Sequence, residues 1–378
     1  MMKKIVVAPD SFKGTMSSLE VCNIVKSAIA SVDSGIEVAA VPIADGGEGT
    51  VDALLSAVGG KKMTVTVKDP LMRDVQAYYG ILNDGFTAVI EMAQASGIGY
   101  LENDLWPLEA TTFGTGQLIK SALDEGCDKI IMGLGGSATT DGGIGAAAAL
   151  GIRFLSEDRN EIPPNGGGLS LLHKIDASGI DPRLEKTEII LACDVDNCLC
   201  GESGAAAIFG PQKGASPEQV GILDRNLEHY AAVMKEQFGL DVMDIRGGGA
   251  AGGLGVSLIA FANARIMPGI QVILDTVKFS EIIKDADLII TGEGRIDNQT
   301  VLGKVPAGIA RAAKHRGVPV IAIGGSLGKG YEAVYDEGIK GVFSVVNDLV
   351  PFSTVKQTCR QDLFMLMKNL MNVIMMDL

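Results

Sequence analysis

The feature that most constrains this chain is a repeated unit: an apolar run of strand length, a glycine-rich polar loop that carries acids, then a helical pattern. Residues 287–304, DLIITGEGRIDNQTVLGK, show it most fully, because the strand-like run gives way to Glu293, Arg295, Asp297, Asn298, Gln299, Thr300 and Lys304 before the helical pattern KVPAGIARAAKH. A βα unit of this kind places its loop at the carboxyl edge of a parallel sheet, where such folds bind ligands. One polar loop could be an ordinary solvated turn. The unit recurs, however. IVVAP at 5–9 exits into DSFKGT, with a helix expected from about Ser17, where Ser17 and Glu20 have capping-box spacing. IEVAAVPI at 36–43 exits into ADGGEGT ahead of VDALLSAV, KIIMGL into GGSATTDGG ahead of IGAAAALG, and EIILACD ends at Asp194.

The unit is interrupted. From about residue 62, KMTVTVKD, QAYYGIL and FTAVIEMA read as strands, the last two joined by the hairpin signal NDG. Residues 157–187 read as loop, PEQVGILDRNLEHYAAVMKEQFG as a long amphipathic helix, and the βα style returns from 287. The expected fold is therefore α/β: a parallel-sheet domain formed by residues 1–63 and 284–378, interrupted by a second α/β domain with a mixed sheet at 64–283, with the ligand site in the cleft between them.

Composition narrows the function. At 378 residues, with 47% hydrophobic and 21% charged residues and 49 glycines, the chain fits an α/β enzyme better than a disordered one. A net charge of −14 argues against nucleic-acid or anionic-membrane partners. The opening MMKKIVVAPD is too short in apolar residues for a secretory signal, and no apolar run has membrane length. Six irregularly spaced cysteines point to reduced thiols and a cytoplasmic location.

Five strand exits hold acids among glycines or amides: Asp10, Asp45 with Glu48, Asp141, Asp194 with Asp196, and Glu293 with Asp297. Clustered carboxylates call for a metal ion or a basic ligand. With Lys13, Lys213, Arg295 and Lys304 in similar loops, the chemistry that needs both signs is phosphoryl transfer. The loop GLGGSATTDGG offers backbone N–H groups and the hydroxyls of Ser137, Thr139 and Thr140 to an anion. No GxxxxGK[ST] occurs, so this is not a P-loop enzyme. GGGAAG at 247–252 matches GxGxxG and keeps an NAD-dependent oxidoreductase of a small hydroxy acid as the alternative, although only the short, charged DVMDIR precedes it. A non-catalytic metabolite-binding protein is a third reading, disfavoured by the surplus of acids. Cys193, Cys198 and Cys200 lack zinc-site spacing. Three histidines and no GxSxG count against a serine or cysteine hydrolase.

In order along the chain, APDSFKG, ADGGEGT, MAQASG, LGGSATTDGG, ACDVDN, FGPQKGA, GGAAGGLG and TGEGRIDNQTVLGK closely resemble motifs of the bacterial type I glycerate kinases, over residue 3 to about 350. The resemblance implies ATP-dependent phosphorylation of D-glycerate with Mg²⁺ in a two-domain fold with a Rossmann-like half. It also implies 2-phosphoglycerate as product, which the residues alone do not separate from 3-phosphoglycerate. Cys198 departs from the pattern, standing where a proline is usual after CDVDN. Roles then follow charge. Asp194, Lys13, Asp45 and Asp297 are the expected catalytic residues, with Asp194, Glu293 and Asp297 for the metal ion. Asp10, Ser11, Gly46, Gly47 and Glu48 would bind substrate or phosphate in the first two loops. Gly135, Gly136, Ser137, Thr139 and Asp141 would do so in the third, and Arg295, Gln299, Thr300 and Lys304 in the last. Which loop takes ATP and which takes glycerate stays open, as does assembly, a homo-oligomer included.

Overall fold

The computed structural model describes residues 2–101 and 105–376. Among these the strands are β1 (Lys4–Pro9), β2 (Glu37–Ala40), β3 (Gly60–Lys68), β4 (Asp74–Leu82), β5 (Thr87–Glu91), β6 (Lys129–Gly133), β7 (Arg153–Leu155), β8 (Lys174–Asp176), β9 (Glu188–Ala192), β10 (Arg265–Met267), β11 (Leu288–Ile296), β12 (Val320–Leu327) and β13 (Ile339–Ser344). The chain divides into two compact units: residues 1–45, 52–59 and 268–378 form unit 1, and residues 46–51 and 60–267 form unit 2. The fold is α/β, with one parallel and one mixed sheet.

Unit 1 holds the parallel sheet, in the order β13-β12-β11-β1-β2. Its inner strand β1 reads as a continuous apolar run because both faces are covered: Ile5, Val6, Val7 and Ala8 are all fully buried. The helices Ser18–Val32 and Phe352–Ile374 cover one face, with Ile29, Leu363, Met367 and Met371 packed on Ile5, Val7 and Ile290. The first begins where its capping box predicts: Glu20 N–H donates to Ser17 Oγ, and Ser17 N–H donates to Glu20 Oε2 at 2.9 Å. From β1 the chain moves through that helix to β2 on one side. From β11 it moves through the helix Val305–Lys314 to β12 on the other. The neighbours β1 and β11 thus flank the topological switch point of the sheet, the crevice where open parallel sheets take ligands.

Unit 2 holds the mixed sheet, β10-β9-β6-β5-β4-β3. Strands β5, β6, β9 and β10 run parallel, while β4 is antiparallel to β5 and β3 to β4. The NDG signal becomes the β4–β5 hairpin: Gly85 has φ +82° and Asp84 accepts from the N–H groups of Phe86 and Thr87. The long helix Pro217–Phe238 starts at a second capping box, Ser216 with Gln219. Within 157–187 the reading of loop fails locally. Lys174–Asp176 pairs with Arg153–Leu155 as a two-stranded ribbon, whose three-residue strands are too short to show alternation. Among the described residues no helix is long and apolar enough to cross a membrane.

Candidate active site

The carboxyl ends of β1 and β11 bring two acids of unit 1 together, and Asp45, beyond β2, acts on the first of them. Pro9 pairs with Gly292, and Asp10 N–H donates to Gly292 O at 2.8 Å, so Asp10 stands next to Glu293 at the switch point. Burial raises the Asp10 carboxyl from its ordinary 3.8 to about 7; the neighbouring Asp45 and Glu293 add to the rise, and the Ser11 N–H opposes it. Ser11 N–H donates to Asp10 Oδ1 at 2.6 Å. Glu293 is 5% exposed and accepts from Thr300 Oγ at 2.5 Å, with Lys304 Nζ 3.5 Å from its other oxygen. Its pKa is still raised, because burial outweighs both partners. Lys304 is the residue before the helix Val305–Lys314.

Two expectations for this stretch shift. Strand β11 runs on through Ile296, so Glu293 and Arg295 are strand residues paired with Gly324 and Ser326. The loop proper begins at Asp297, which accepts from Gln299 N–H at 2.9 Å and lies 3.4 Å from the exposed Arg295 Nε. Lys13 is exposed in the loop after β1, which is anchored by buried Phe12 and held to Met16 by a backbone bond from Phe12 N–H. A Cβ on Gly294 would lie 3.1 Å from Lys13 N, so this loop rests against β11.

In unit 2 the loops after β6 and β9 meet the segment Gly46–Gly47. A Cβ on Gly133 would fall 2.0 Å from Gly46 O, and one on Gly135 would fall 3.1 Å from the Gly47 Cα. Gly46 itself has φ +89°. Glycine is required there because backbone meets backbone. Gly135, Gly136 and Glu48 are exposed, and Ser137 is half-buried. Thr139 and Asp141 are both 0% exposed. Asp141 accepts from Thr112 N–H and Oγ, and from the N–H groups of Gly143 and Gly145, at 2.7 to 3.3 Å. Burial raises its pKa against those bonds. Thr139 and Asp141 therefore build the loop from beneath and present nothing to solvent.

Asp194 is exposed, two residues beyond β9 in unit 2, whereas Glu293 and Asp297 belong to unit 1. Among the described residues no group of three or more His, Cys, Asp or Glu side chains is set to hold a metal ion. GGGAAG follows a turn and not a strand, and a Cβ on Gly249 or Gly252 would strike Cys198 O or Thr139 O at 2.2 and 1.9 Å. Those glycines serve close packing.

One residue escapes the sequence reading, and a second, named there as a loop cation, proves to be buried. Glu91, 2% exposed at the end of β5, accepts from Val51 N–H at 2.8 Å; an acid closing the apolar run TAVI was the available signal. Lys213 is 2% exposed, its Nζ donates to Thr139 O at 2.6 Å, and burial lowers it to about 7 against the pull of Asp141. The sequence reading sets Lys213 among the loop cations, and FGPQKGA gives no sign of its burial.

Comparison with known proteins agrees with this architecture. The model of the Glycerate kinase family matches residues 5–375. A glycerate kinase of Halalkalibacterium halodurans is 49% identical, over 94% of each chain. A glycerate 2-kinase of Escherichia coli K12 is 47% identical over 92% of this chain and 91% of its own. A crystal structure from Salmonella typhimurium LT2, provisionally assigned as glycerate kinase 2, superposes with a TM-score of 0.89 at 42% identity, covering 98% of both chains.

Proposed function

The chain belongs to the glycerate kinase family, and from that premise we propose that it transfers the terminal phosphoryl group of ATP to the 2-hydroxyl of D-glycerate, giving 2-phosphoglycerate and ADP. The 47% identity to a glycerate 2-kinase supports the regiochemistry. The observation that carries the mechanism is the acid pair at the switch point, Asp10 beside Glu293.

A hydroxyl attacking phosphorus must lose its proton as the new P–O bond forms and the bond to the ADP oxygen breaks. Phosphoryl transfer otherwise demands positioning and charge neutralisation. Asp10, next to Glu293 at the strand ends, is placed to accept that proton. Lys304 and Lys13 would face the anionic groups of the substrates. The N–H groups of Gly135 to Ser137 in unit 2 would hold an oxygen of the nucleotide. The mutually repelling carboxylates of Asp10, Asp45 and Glu293 fit Mg²⁺, and a protein contribution of one or two acids suits an ion that arrives with phosphate oxygens. Asp45 and Glu293 would hold it, and it would supply neutralisation of phosphate charge. Asp194 and Asp297, in exposed or half-buried turns, then act in substrate binding. The six free thiols support a cytoplasmic setting.

Phosphorus NMR after incubation with D-glycerate and MgATP tests the reading. The expected signal is 2-phosphoglycerate. A 3-phosphoglycerate signal overturns the regiochemistry, and consumption of NADH without ADP release overturns the kinase.

A further inference from the structure

Lys213 is a buried ammonium with no part in the chemistry above. It closes the 3-10 turn Pro211–Lys213 and is followed by Gly214 at φ +87°, where a Cβ would fall 2.4 Å from Leu105 Cβ. The turn is thus fixed on both sides. Nζ donates to Thr139 O at 2.6 Å, and among the described residues that is its one hydrogen bond. Beside it, Thr140 Oγ is buried with no partner. Burying a cation with so few partners costs stability, so an apolar side chain would serve the core better.

What lies above that carbonyl is the candidate anion loop. Strand β6 ends at Gly133, and Gly136 has φ +75°. Ile98 N–H donates to Gly136 O and Ala138 N–H to Ser96 O, which pins the loop's rim. The N–H groups of Gly135, Gly136 and Ser137 have no acceptor among the described residues. Three successive free N–H groups around a left-handed glycine form an anion-binding concavity. The loop then turns inward, where Lys213 holds it at Thr139 and Asp141 holds it through the bonds of Thr112, Gly143 and Gly145.

We propose that Lys213 is a positioning residue: through the Thr139 carbonyl it sets the conformation in which Gly135, Gly136 and Ser137 present their N–H groups to a phosphate of the nucleotide. This rests on the kinase reading and deepens it.

The test is Lys213→Met, of similar length and without charge, with Gly136→Ala as the second variant. ADP binding in the presence of Mg²⁺ is measured by calorimetry, and KM for ATP and for glycerate by steady-state kinetics. We expect Lys213→Met to melt no lower than the wild type, since it removes a buried charge. Its ADP affinity should weaken at least tenfold and its KM for ATP should rise in parallel, while KM for glycerate moves less than twofold. Gly136→Ala should shift the same constants, and the double variant should fall short of the product of the two effects. Unchanged ADP affinity in a folded Lys213→Met overturns the proposal, as does an equal rise in both KM values. If Lys213→Met fails to fold, Gly136→Ala decides: unchanged ADP affinity there overturns it too. A wild type that neither binds ADP nor phosphorylates glycerate sinks the kinase reading itself.

Discussion

Asp10 and Lys213 both reach about pKa 7, from opposite directions. For Asp10 the folded value lies above the unfolded one. Between pH of about 4 and about 7 the folded chain holds a proton that the unfolded chain has released, so this carboxyl lowers stability as pH rises through that window. Catalysis runs the other way, because the ionised form accepts the hydroxyl proton. We expect kcat/KM to climb through pH of about 7 and level off above it. Asp10→Asn should flatten that limb and cut kcat by roughly 10²–10⁴-fold. Urea titrations at two pH values should show the variant without the wild-type stability slope. For Lys213 the folded value lies below the ordinary 10.5, so stability rises with pH from about 7 to about 10.5 as the unfolded chain sheds its extra proton. Lys213→Met should remove that rise. The sequence marks Asp10 and Lys213 as charged-site candidates, but the shift of each toward about 7 comes from burial that only strand pairing and packing create.

At the scale of elements, residues with a defined local signature were legible. The capping box of Ser17 with Glu20 marks a helix start that the structure keeps, and NDG marks its hairpin; the second box, Ser216 with Gln219, is found in the structure. Less legible was why the helix Phe113–Asp124 carries glycines. A Cβ on Gly116 would lie 2.3 Å from Ala146 O in the helix Ile144–Ala149, so the two backbones touch. Gly116→Ala should therefore destabilise by about 1–3 kcal/mol, in spite of the better helix propensity of alanine, read as a lower urea midpoint at unchanged slope. Ser17→Ala gives a contrast of about 1 kcal/mol from a lost cap, with no backbone displacement. Strand β11 shows where local pattern misleads. Glycine, glutamate and arginine at 292–295 suggest a loop, yet pairing with β12 extends the strand through Ile296, because a neighbouring strand supplies hydrogen bonds whatever the side chains are.

At the scale of the whole chain, the parallel and mixed sheets follow from the order of strand types along the sequence, and the switch point from the order in which β1 and β11 are joined to their neighbours. The glycines resist such reading, because a letter pattern does not say whether backbone faces a ligand or other backbone. GGGAAG has the spacing of a dinucleotide loop, but its glycines at 249 and 252 admit the carbonyls of Cys198 and Thr139. The loop at 135–137 has less of a motif and leaves its N–H groups open. A ligand that binds only the folded chain raises its melting temperature by mass action. At a hundredfold excess over its Kd, ADP with Mg²⁺ contributes about 2.7 kcal/mol. For a chain of 378 residues that corresponds to roughly 3 °C, given an unfolding entropy of about 2.1 cal/mol/K per residue. We expect a shift of that size with ADP and Mg²⁺ and none with NADH at equal concentration. A shift with NADH alone would mean that the packed glycines open to a dinucleotide, and that the open loop after β6 is not the nucleotide's anchor.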